Sequence, residues 1–152
     1  MTINYIKPVS IEEIKARINK INEKINLPER SLPEYYSSTI GDHYYIKLTP
    51  LGYTYALSGH WNENDEKSYF TTDVDQLIFW AFRDATHRMA FEYEARNRID
   101  GQDNRIIAFK KHIEILESLD LKKECIERLK LNYNDLLNQN LFVCRPEKAI
   151  QI

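Results

Sequence analysis

The sequence predicts an α+β protein with an N-terminal helix, a small antiparallel sheet of about three strands and three C-terminal helices, one of them long and central. Three observations carry this. Isoleucines recur at helical spacing from Ile11 to Ile25. Tyrosine-rich, strand-like runs broken by turn residues fill residues 43–72. From Thr72 onward the apolar residues return to a helical period.

The first helix is announced by Ser10 and Glu13, an S-x-x-E capping box, with Val9 placed to pack on Ile14. Ile11, Ile14, Ile18, Ile21 and Ile25 then follow at alternating spacings of three and four. Two heptads are short for a coiled coil, so the stripe reads as the inner face of a docked helix, stopped by Pro28. Residues 28–42, with Pro28, Pro33 and Gly41, read as a connector with a short extended piece. Strands are expected over 43–48, 53–58 and 67–72, the first two joined by a Thr-Pro-Leu-Gly turn. A polar loop, Gly59–Glu66, leads to the third.

Thr72 is the expected N-cap of the long helix, with Asp73 and Asp75 complementing its dipole and Gly101 ending it. Its inner stripe is Val74, Ile78, Ala81, Phe82, Ala85 and Met89. Asp103 is placed to cap a second helix running through Leu119, with Ile106, Phe109, Ile113 and Leu116 inward. Asp120 is placed to cap a third, with Leu121, Cys125, Leu129, Leu136 and Leu137 inward.

Length and charge narrow the function. A chain of 152 residues suits one domain, here 1–152. Its net charge of −2 argues against a general nucleic-acid binder. No apolar run approaches a membrane span and no secretory leader is visible, which points to the cytoplasm. Cys125 and Cys144 lack metal-ligand spacing, and a reducing compartment suits them. No cofactor motif or phosphate-cradling glycine loop is present.

Asp84, Arg88, Glu92 and Arg96 form a ladder of alternating charge at four-residue steps. Each step drifts by about 40°, which would carry Glu92 and Arg96 onto the inner stripe. A salt-bridged network of Glu92, Arg96, Arg98 and Arg105 is therefore expected to join this helix to its neighbour, as a structural seam and not an acid/base site. Catalytic readings are weaker. Arg105 and His112 meet the Arg-x4–6-His spacing of HEPN-type helical ribonucleases, but Ile106 follows the arginine where a polar residue is usual. Asp84-x-x-His87 is half of a di-metal carboxylate motif with no second half. No catalytic residue and no metal ligand is assigned.

The stretches "TTDVDQLIFWAF", "MAFEYEARNRI" and "QDNRIIAFKKHIEIL" resemble the core of the immunity protein 63 family of bacterial polymorphic-toxin systems. Thr72, Asp73, Asp75, Leu77, Trp80, Phe82, Glu92, Arg98, Gln102, Asp103, Arg105 and Phe109 carry the likeness. Ile106 and "LSGHWNEN" depart from the family's pattern. The resemblance implies a cytosolic protein that binds a cognate secreted toxin's C-terminal domain and neutralises it, without chemistry of its own. The helical ribonuclease and a free-standing protein-binding module are the alternatives. Between His60 and Asp75, five acids face only Lys67, a net charge of −4. Asp73 and Asp75 serve the helix start, which leaves Trp61, Glu63, Asp65 and Glu66 as the expected toxin-facing residues.

Overall fold

A computed structural model describes residues 7–36, 43–57, 68–139 and 152. The architecture is α+β. Helix α1 (Ile11–Asn22) leads through a 3-10 turn (Glu29–Ser31) to strands β1 (Glu34–Tyr35), β2 (Tyr44–Thr49), β3 (Gly52–Leu57) and β4 (Ser68–Thr71). Helices α2 (Val74–Arg96), α3 (Arg105–Ser118) and α4 (Lys123–Gln139) complete it. The chain divides into two compact units, Met1–Ala85 and Thr86–Ile152, with the division inside α2.

In the first unit Ser10 caps α1, its hydroxyl accepting the Glu13 amide at 3.2 Å. Ile11, Ile14 and Ile18 are buried. The helix ends before the predicted Pro28 stop. Asn26 takes a left-handed backbone (φ 51°), and the Asn22 side chain clamps both backbone groups of Leu27. An asparagine tolerates that conformation better than most residues, so the stop is local chemistry ahead of the proline.

The sheet has four strands, not three, in the order β1-β2-β3-β4, and it is mixed. The additional strand, β1, lies in the predicted connector and pairs parallel to β2. Two residues are too few to show alternation in a sequence, and this strand is held by its neighbour instead. The two antiparallel pairs match the predicted meander. One face carries Tyr35, Ile46, Tyr53 and Tyr55, the last three buried. Val9 donates its amide to the Tyr53 hydroxyl at 2.7 Å, and Lys15 of α1 lies over the Tyr35 ring, which sets α1 against this face. The Thr71 hydroxyl accepts the Asp73 amide and donates to Gln76. Asp73, one residue after the expected Thr72, accepts the Asp75 amide and starts α2.

In the second unit α2 contributes Thr86, Ala90 and Glu94 to the interior. Asp103 accepts the Arg105 backbone amide at the start of α3, close to its expected role. Asp120, the expected cap of α4, lies three residues before that helix begins. It ends α3 in a left-handed conformation (φ 54°), and α4 begins only at Lys123. The inner row of α4 is Cys125, Ile126, Tyr133 and Leu137, while the predicted Leu136 is exposed. Tyr133 takes the position because its ring stacks on Phe109 at 4.0 Å and its hydroxyl bonds to His112. His112 is fully buried, with its other ring nitrogen 2.9 Å from the Thr86 hydroxyl.

Two stability effects follow. A Cβ on Gly52 would sit 2.6 Å from the Thr71 carbonyl oxygen and 2.8 Å from the Phe70 ring. Backbone cannot retreat cheaply, so Gly52→Ala should destabilise by about 1–3 kcal/mol, read as a drop in the denaturation midpoint. His112→Ala removes a packed ring and deprives the Thr86 and Tyr133 hydroxyls of a shared partner. A loss of about 2–5 kcal/mol is expected in urea unfolding, and a loss below about 0.5 kcal/mol would contradict the central place given to this histidine.

Candidate functional site

Trp61, Glu63, Asp65 and Glu66 lie outside the described residues. Their attachment points are described: Leu57 ends β3 and Ser68 begins β4. Both belong to the sheet end where β2 starts at Tyr44, since Tyr44 pairs with Leu57 and Ala56 with Ser68.

Near that end of the sheet lies a cluster of aromatic side chains, part of it exposed. Tyr55 and Tyr69 are directly opposed on adjacent strands, and Tyr44 is diagonal to Tyr55. The Tyr44 and Tyr55 rings stack at 4.6 Å. Trp80 of α2 packs on Tyr55 at 6.3 Å and on Tyr69 at 5.6 Å. One turn further along α2, the Arg83 guanidinium lies over the Tyr69 ring at 5.8 Å. The same guanidinium pairs with Asp84 at 3.1 Å, and Asp84 accepts the Tyr55 hydroxyl at 2.8 Å. Tyr55 is buried beneath the cluster, whereas Tyr44, Trp80, Arg83 and Asp84 are half-exposed and Tyr69 is exposed.

Burial and the Asp84–Arg83 pair set its electrostatics. Burial, followed by the Asp84 charge and hydrogen bond, pushes the Tyr55 phenol well above its usual range. Burial chiefly raises Tyr44 as well. The hydrogen bond and charge of Asp84 raise Arg83 against the opposing effect of burial. Neither phenol can act as a base near neutral pH, and among the described residues the carboxylate of the cluster, Asp84, is matched by arginine. What remains is a rigid patch of tyrosine, tryptophan and arginine, the residue types that anchor interfaces. The sequence placed Trp80 in the family pattern and Asp84 in the charged ladder. The tyrosine partners required the strand register, which no local signal supplies.

Three of the four residues expected to form a seam pair locally. Glu92 pairs with Arg88 at 2.8 Å, both well exposed, and Arg105 pairs with Asp103. Arg98 pairs with Glu94 at 2.8 Å, and Arg96 is exposed. Among the described residues none of the four pairs with another of the four. The reason lies in the rows. Ile78, Phe82, Thr86, Ala90 and Glu94 are the buried positions at four-residue steps. The charged ladder drifts by the same angle, so it keeps a constant offset of two residues, or about 200°, from this row and never enters it. The inward acid is Glu94, with its side chain 10% exposed. The hydrogen bonds from Arg105 hold the Asp103 carboxyl below its usual range, but both groups face solvent.

His112 does not meet the needs of a ribonuclease. A general base must reach solvent-borne substrate, and this ring is enclosed with both nitrogens in hydrogen bonds to Thr86 and Tyr133. Asp84 serves Tyr55 and Arg83, while His87 stacks on Phe91 at 4.4 Å. Among the described residues no group of three His, Cys, Asp or Glu side chains is set to hold a metal. Nor is any described helix long and apolar enough to cross a membrane. A concavity of about 470 Å³ in the first unit is walled by alternating charge from Lys15, Glu29, Arg30 and Glu34. It favours no one ligand sign.

The first unit thus carries a solvent-facing aromatic patch and the second an enclosed histidine. In comparison with known families, residues 57–128 match the model of the family described as Immunity protein 63. That is the family the sequence resembles, and the match covers a little under half of the chain. It includes β4, α2, α3 and the start of α4, and with them Tyr69, Trp80, Arg83 and Asp84. Tyr44 and Tyr55 fall outside it. No curated protein and no solved structure matches the chain.

The raised phenols carry a pH dependence. Tyr55 lies well above its ordinary value of 10.0, and burial pushes Tyr35 to about 12. A folded pKa above the unfolded one favours the neutral phenol, so this stability is complete below about pH 10 and is lost as pH rises further. Tyr55→Phe removes one such group. The urea midpoint of the wild type should therefore fall more steeply than the variant's between about pH 9 and about pH 11. Equal slopes would show that Tyr55 ionises as freely folded as unfolded.

Proposed function

We propose that this chain is an immunity protein that binds the C-terminal domain of a cognate toxin and neutralises it by occupancy, as a single domain in the producing cell's cytoplasm. The observation that carries the reading is the Immunity protein 63 match over residues 57–128. The aromatic and arginine patch supports it, because such residues give up little conformational entropy on binding. The enclosure of His112 supports a binding role over catalysis.

On this reading Trp61, Glu63, Asp65 and Glu66 form the first contact with the toxin. They connect strands that end beside the patch, and their acids suit a basic partner such as a domain acting on nucleic acid. On the same reading, positions shared by the family hold the scaffold, and the acidic segment with Trp61 reads the partner.

The test begins with the gene next to this one, which should encode a large secreted protein with a variable C-terminal domain. Co-expression of this chain should rescue cells from that domain, and failure to rescue with both proteins soluble would sink the reading. Reversing Glu63, Asp65 and Glu66 to lysine should slow association on the order of tenfold or more at low salt and leave the melting temperature nearly unchanged. Trp61→Ala should chiefly speed dissociation. Unchanged kinetics in both variants would move the interface elsewhere.

A further inference from the structure

The backbone of the sheet has a second feature that the patch does not use. The tight turn at Pro50–Leu51 closes on the pair Thr49 and Gly52, so Gly52, Thr54 and Ala56 direct their N–H and C=O groups to β2. Alternation turns the backbone groups of Tyr53 and Tyr55 the other way, where they meet Thr71 and Tyr69 of β4. Phe70 lies between those pairs and Ser68 follows the same alternation, opposite Ala56. Their backbone donors and acceptors therefore point away from β3, and β4 is the last strand in the sheet order. Among the described residues no other strand pairs with it.

Edge strands are ordinarily guarded by charge, proline or brevity. The opposite edge follows this rule: β1 has two residues, begins with Glu34 and is preceded by Pro33. β4 does not. It reads Ser-Tyr-Phe-Thr, has neither proline nor charge, and leaves Tyr69 40% and Phe70 53% exposed on opposite faces. An added strand would gain backbone bonds at Ser68 and Phe70 and an aromatic side chain on each face.

We infer that the outer edge of β4, unpaired among the described residues, accepts by strand addition an extended basic segment of the toxin domain. This rests on the immunity reading above and names the partner's docking mode. The choice of a basic segment follows from charge. The sequence from His60 to Asp75, which contains β4, carries −4, with Asp73 and Asp75 directly after the strand. Arg83 beside it is already matched by Asp84. A second copy of this chain would set the same acidic flanks against each other, which disfavours self-pairing.

Amide hydrogen exchange tests this directly, using the C-terminal domain of the toxin encoded beside this gene. In the free protein the Ser68 and Phe70 amides should exchange fast, while Tyr69 and Thr71, bonded to β3, exchange slowly. In the complex the Ser68 and Phe70 amides should become protected. Phe70→Pro removes the outward N–H without touching the bonds to β3, and Phe70→Ala removes only the ring. The proline variant should bind on the order of tenfold more weakly than the alanine variant, about the size of one hydrogen bond. If the wild type binds but the two amides stay unprotected, or the two variants bind equally, strand addition is overturned and the immunity reading stands. If the wild type does not bind the domain, both fall. Sedimentation of the free chain as a dimer that Phe70→Pro dissolves would assign the edge to self-association and overturn the proposal. Should the proline variant fail to fold, the exchange pattern of the wild type still decides.

Discussion

The hydrogen bond from the Tyr55 hydroxyl to Asp84 is the constraint on which the first unit's surface depends. A phenol so far from solvent must find an acceptor, and the acceptor it finds sits three turns into α2. That choice sets the rotation of α2 about its axis. With Asp84 turned to Tyr55, Trp80 one turn earlier must lie over Tyr55 and Tyr69, and Arg83 must lie at the rim, over Tyr69. One buried oxygen thereby fixes three side chains that face solvent. The charge-assisted bond is worth on the order of 1.5–3 kcal/mol, but its structural effect is larger than its energy, because it keeps the patch in one arrangement.

The second unit solves the same problem with a different group. His112 stands inside α3 on the row that meets α4, where an aliphatic residue would pack without cost. Its two nitrogens instead require two partners, which Thr86 and Tyr133 provide from two other helices. A buried imidazole thus specifies which residues of α2 and α4 turn inward, including Tyr133 in a row where leucines were expected. Each unit is keyed by a polar atom that must be satisfied, and apolar burial around it supplies most of the stability.

These keys explain what could be read in the sequence. The α1 stripe, the Ser10 cap, the β2–β3 turn and the order of helices rest on local periodicity and capping, and they are as expected. The errors occur where a long-range partner decides. Leu136 and Tyr133 are both plausible inward residues of α4, and only the Phe109 ring and His112 separate them. Asp73 starts α2 in place of Thr72 because β4 retains Thr71 and that hydroxyl holds the turn. The charged ladder stays outside for a geometric reason: the buried row drifts by the same angle, so Glu94 enters and Glu92 does not. The aromatic patch was invisible because tyrosines on three elements become neighbours only through register.

The patch and the edge also bear on how recognition would be divided on the proposed reading. Within the patch the one arginine and the one carboxylate neutralise each other, so it contributes packing area and little field. The acids are concentrated in the sequence just before and after β4, where they steer an incoming basic domain without needing close fit. Backbone groups on the edge of β4 are indifferent to the partner's side chains. A toxin segment can therefore change its sequence and keep those bonds, while tyrosine, phenylalanine and loop positions adjust the discrimination. Such a division suits an inhibitor whose partners vary: rate from charge, residence from aromatic packing, and a register supplied by main chain that substitution cannot remove, except by proline.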